Sequence, residues 1–180
     1  MSEPVTGRLA RPAKPPATRY RIARSAAQVY VAVQGLANMK SAPLLATFLD
    51  RARSEGVRSA YIDLSGCAGM DSTFMGLLVA QAQSFAEAGG RFAVVKPNDA
   101  SLKLLRMLGV DEVVTVVAEA EVPTAEYVDL SGDQAVDERA RMALVREAHV
   151  HLANLNDTNK AKFGAFLQAL DADLERKKPG

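Results

Sequence analysis

Apolar positions along the chain follow two rhythms, one of period two and one near 3.6. Tyr20-Arg21-Ile22-Ala23-Arg24 alternates weakly, and Val29-Tyr30-Val31-Ala32-Val33 follows a Ser25-Ala26-Ala27 turn as a stronger β run. The pair predicts an antiparallel hairpin, ended by Gln34-Gly35-Leu36, where glycine lets the backbone leave the sheet. Leu44, Leu45, Phe48, Leu49 and Ala52 mark one face of a helix over 42–54, with Ser41 as its N-cap, Pro43 in its first turn and Gly56 as its stop. Val57 to Leu64 reads as a central strand. A helix over 72–88, dense in Phe74, Met75, Leu77, Leu78 and Val79, ends at Gly89-Gly90, and Arg91 to Val95 forms the next strand. Asn98-Asp99 caps a short helix bearing Leu102, Leu104, Leu105 and Leu108, and Gly109 precedes a strand over 113–117.

The order β-β-α-β-α-β-α-β places the chain in the α/β class. Right-handed crossovers imply a mixed sheet that is mostly parallel, with the first hairpin as an antiparallel edge and helices flanking it. Leu64, Leu77, Leu78, Val94 and Leu105 are expected between sheet and helices. This folded domain spans 20–120. Before it, residues 1–19 carry Pro4, Pro12, Pro15 and Pro16 with Arg8, Arg11, Lys14 and Arg19, which reads as a flexible, solvated basic arm. After it, Pro123 and Ser131-Gly132 mark a linker over 121–132. Val136, Ala140, Ala143, Leu144, Ala148, Leu152 and Leu155 then form one helical stripe, and Phe163, Phe166, Leu167, Leu170 and Leu174 a second. Together they predict a helical hairpin extension over 133–177, with a polar turn at 154–159. It packs on itself, on the α/β core, or on a second copy as a homodimer contact.

Composition narrows the chemistry. The 180 residues are 48% hydrophobic and 24% charged with a net charge of +1, which gives no bias toward nucleic acid, so no direct DNA binding is expected. One cysteine, Cys67, excludes an internal disulfide and suits a reducing compartment. No apolar run is long enough for a transmembrane segment and the start lacks a signal-peptide pattern, so the expected location is cytoplasmic. The phosphate-loop and dinucleotide glycine patterns are absent, as is any zinc-type spacing of Cys and His, so no cofactor and no metal are expected. His149 and His151, two apart on a helix, point in different directions, and no histidine lies near Ser72 in sequence to build a triad; the chain does not read as an enzyme. Cys67 reads as a packed thiol and Asp63 as a carboxylate binding neighbouring amides.

One stretch carries a candidate function. Tyr61 to Leu64, then the small-residue turn Ser65-Gly66-Cys67-Ala68-Gly69, then Asp71-Ser72 before an apolar helix, place a hydroxyl at a helix N-terminus. There it is an ordinary cap, or a position where the macrodipole tolerates a phosphate. Leu64-Ser65-Gly66 followed by Met70-Asp71-Ser72-Thr73 resembles the core motif of STAS domains, found in bacterial anti-sigma factor antagonists and sulphate transporter tails. Gln34-Gly35-Leu36, Gly89-Gly90 and the run Leu104 to Val113 match further steps of the family. The resemblance implies a regulatory module in a partner-switching pathway, with Ser72 phosphorylated by a partner kinase and Asp71, Ser72, Thr73, Phe74 and Met75 forming the partner surface. Its implied partners are an anti-sigma factor or switch serine kinase, with a PP2C-type phosphatase reversing the modification. Phe74 departs from the pattern, since many antagonists carry glycine there. The resemblance also leaves room for a non-switching interaction or oligomerisation protein, for a subunit of a membrane transport complex, and for a weak nucleotide-binding enzyme.

Overall fold

The computed structural model describes residues 17–131 and 136–177. Most of the basic arm, and the expected start of the helical extension at Asp133, lie outside the described residues.

Strands β1 (Arg19–Arg24) and β2 (Gln28–Ala37) pair antiparallel, with Ile22 opposite Val31. β3 (Ser59–Asp63), β5 (Arg91–Val95) and β6 (Thr115–Val117) add in parallel beyond β2, and β7 (Val128–Asp129) adds antiparallel beyond β1. The order is β6-β5-β3-β2-β1-β7, with β4 (Cys67–Met70) also on β2. Helices α1 (Ala42–Ser54), α2 (Ser72–Glu87) and α3 (Asp99–Met107) form the crossovers, and α4 (Glu138–Ala153) and α5 (Asp157–Arg176) form the C-terminal hairpin.

Period-two alternation sorts β2 across the sheet. Val29, Val31 and Val33 join Ile22, Ile62, Val94 and the helices in the main core, whereas Tyr30 turns to a smaller cluster with Ala23 and Val95. Leu64, Leu77, Leu78, Val94 and Leu105 are all buried, as the helical and strand periods require.

Five local expectations need correction. Gly35 does not end β2: its positive φ of 79° permits a bulge, after which the strand continues and pairs with β4. The supposed turn 65–69 is therefore partly strand. Ser41 does not cap α1 through its side chain; it is already helical, and its hydroxyl binds the backbone of Asn38 instead. The strand expected over 113–117 starts only at Thr115, because Val113 and Val114 still bond back to Val110 in a tight turn. Finally, the segment expected as a bare linker contains β7, fastened by an Arg19–Asp129 ion pair beside it.

The hairpin packs on the α/β unit as a third layer. Leu152, Ala153 and Phe163 enter the main core cluster. The turn between its helices is pinned by buried Asn159, whose Nδ2 donates to Leu108 O at 2.8 Å and to Leu152 O at 3.0 Å. The buried stripe of α4 is Val145, Ala148, His149 and Leu152; Ala140 and Ala143, expected on it, face solvent. Close approach sets this rotation. An ideal Cβ on Gly76 would sit 2.2 Å from the Ala148 carbonyl oxygen, so glycine there lets the α4 backbone rest directly on α2.

Candidate functional site

The site is built where β4 hands over to α2. Asp71 is extended (φ −96°, ψ 174°) and caps α2: its Oδ1 accepts from the Phe74 amide at 2.9 Å. Its Oδ2 accepts from the Met39 amide at 2.8 Å, which ties the β2–α1 loop to the helix start. Asp71, not Ser72, is thus the cap. Ser72 is the first residue of the helix proper, half-buried, with its hydroxyl free of capping duty.

That hydroxyl meets a side chain from 77 positions further on. Ser72 Oγ lies 2.9 Å from His149 Nε2. The other ring nitrogen, Nδ1, lies 2.7 Å from the Val145 carbonyl, which can only accept, so Nδ1 carries the proton and Nε2 accepts from the Ser72 hydroxyl. The imidazole is buried and held edge-on by Phe163 and Phe166, at centroid distances of 5.1 and 4.6 Å. A hydroxyl whose proton already faces an imidazole nitrogen is suited to receive a transferred group, because the departing proton has a recipient. Beside the pair opens a groove of about 470 Å³, walled by Met39, Met142, Val145 and Leu170, with Glu138 and Arg141 also lining it.

The five residues expected to form a partner surface do not share one exposure. Asp71 and Ser72 are half-buried, whereas Thr73, Phe74 and Met75 are buried. Phe74 is fully enclosed and packs beneath the helix, which accounts for a bulky side chain where glycine was the pattern. Cys67 is buried with its thiol on the Gly69 carbonyl at 3.3 Å. Asp63 accepts from the Ser65 amide at 2.8 Å and from the Tyr30 hydroxyl at 2.6 Å. His149 is the residue that sequence reasoning missed. Its signal was a polar side chain set between Val145 and Leu152 on an otherwise apolar helix face.

A family model described as Mlab, STAS domain matches residues 20–118. An anti-sigma factor antagonist from Mycobacterium paratuberculosis superposes with a TM-score of 0.52 at 19% identity, over 57% of this chain and 87% of that one. The anti-sigma factor antagonist SpoIIAA in its unphosphorylated form gives 0.51 at 16% identity, over 56% of this chain and 89% of that one. At these identities the likeness is one of fold. No curated protein sequence matches the chain. Helices α4 and α5 lie beyond the matched residues.

Proposed function

The chain belongs to the STAS family, and from that premise we propose that it is a regulatory protein-binding module of the anti-sigma factor antagonist kind, switched by phosphorylation of Ser72. The observation that carries this reading is the placement of the Ser72 hydroxyl: first turn of α2, directly after its cap, at the rim of an open groove. Unmodified, this surface binds an anti-sigma factor or switch serine kinase. Phosphorylation adds about −1.5 to −2 charge at pH 7. The α2 N-terminus tolerates that charge, but enclosing it in an interface without a matching cation costs several kcal/mol, and each loss of about 1.4 kcal/mol weakens binding tenfold. During transfer His149 takes the hydroxyl proton. A PP2C-type phosphatase resets the state. The module binds and is modified rather than catalysing a reaction of its own. Among the described residues no helix is long and apolar enough to cross a membrane, and the proposed partners place the protein in the cytoplasm.

The test has two arms. The full chain isolated from its native cells is mapped by peptide mass for phosphate on Ser72, and its partner is captured and identified. Calorimetry then compares wild type, Ser72→Ala and Ser72→Asp against that partner. The expected result is retained binding for Ser72→Ala and a loss of about tenfold or more for Ser72→Asp. Equal affinities across all three overturn the switch and leave a non-switching interaction protein.

A further inference from the structure

Helical spacing divides α2 into two opposed faces. Phe74, Leu78 and Phe85 share one, and all are fully buried against the sheet side. Ser72, Gly76 and Val79 share the other, which an α/β unit alone would leave to solvent. Here that outer face is covered by α4. Gly76 receives the Ala148 backbone, and Ser72 receives His149. The covering element lies wholly outside the residues that match the family.

We propose that the outer face of α2 is a helix-docking surface whose resident occupant is the α4–α5 hairpin of the same chain, a separable cover that an external partner must displace. The cover rests on a close backbone contact at Gly76, is pinned at its turn by Asn159 on the Leu108 carbonyl, and is latched against α2 by the polar contact at Ser72. Being tethered, it faces α2 at a high effective concentration, so a competitor needs either higher intrinsic affinity or a broken latch. The Ser72–His149 bond puts that latch on the same hydroxyl proposed for modification: a phosphate there loosens the cover but also lays its charge on the face a partner would occupy, so loosening the cover does not by itself admit the partner. The identity of the competitor rests on the function proposed above; occupancy by the hairpin and its separability do not.

Gly76 supplies a selective probe. In Gly76→Ala the three nearest neighbours of the added methyl all belong to the Ala148 backbone of α4, and alanine favours the helix that bears it. Hydrogen exchange is followed on the full chain, with no kinase or partner present, for wild type, Gly76→Ala and His149→Ala. The expected result for Gly76→Ala is a rise of about tenfold or more in exchange across α4 and α5, with β2, β3 and β5 unchanged within about twofold. His149→Ala adds no atoms and keeps the test open where the first variant does not fold; it is expected to loosen the same two helices selectively, by about threefold or more. Unchanged exchange in both variants, or a rise shared equally by hairpin and sheet, overturns the proposal and makes the hairpin an inseparable part of the core. Because no phosphate is involved, absence of phosphate on Ser72 in cells leaves this result standing, and the reverse also holds.

Discussion

Ser72 Oγ and His149 Nε2 meet at 2.9 Å, joining the first turn of α2 to the buried face of α4. The histidine is buried and its second nitrogen is committed to the Val145 carbonyl, and among the described residues the hydrogen-bond partner of Nε2 is the Ser72 hydroxyl. Removing the hydroxyl strands a buried acceptor. Ser72→Ala should therefore destabilise the chain by about 1–3 kcal/mol in urea unfolding. A double-mutant cycle with His149→Ala should return a coupling of about 0.5–3 kcal/mol. A coupling near zero would mean that the bond contributes nothing.

Asp71 carries the capping energy that its neighbour does not. Its two carboxylate oxygens serve the Phe74 and Met39 amides, and neither bond involves Ser72. Asp71→Ala should cost about 1–2 kcal/mol, and Asp71→Asn, which keeps one acceptor oxygen, distinctly less. Chemical denaturation of both variants checks the order; equal losses would show that the second acceptor is the one that matters.

Leu78 is fully buried where α2 faces the sheet. Leu78→Ala should cost about 2–5 kcal/mol, from lost burial plus the cavity left behind. A loss below about 1 kcal/mol in urea unfolding would contradict the assignment of that helix face.

Tyr30 sets an alkaline limit. Burial first, and then its hydrogen bond to Asp63, hold the phenol proton and raise its pKa well above the ordinary tyrosine value. A folded-state pKa above the unfolded one contributes stability that is complete below about pH 10 and is lost as pH climbs toward the folded value. Urea midpoints should therefore hold up to about pH 10 and fall beyond it. Tyr30→Phe should shrink that alkaline decline without abolishing it, because burial also raises Tyr20. An identical decline in the variant would remove Tyr30 from the account.

Local periodicity determined a good deal of this protein. The boundaries of α1, the alternation of β2, the five core positions and the strand–turn–helix around Ser72 each depend on residues a few positions apart, so they are written in short windows of chain. One longer-range hint was also present: Phe74 to Ala80 is apolar on every side of its helix, as expected when something covers both faces. What covers the outer face, and in which rotation, only tertiary structure decided. β4 is four small or flexible residues with little strand pattern, and it exists because β2 continues past Gly35 and pairs with it. His149 reads in isolation as a stray polar group on an apolar stripe. It becomes part of a site because Gly76 has no side chain, which lets α4 settle close enough to bring an imidazole against a hydroxyl 77 residues away. Such a pairing has no local signature, since its energy comes from the approach of two helix backbones distant in sequence.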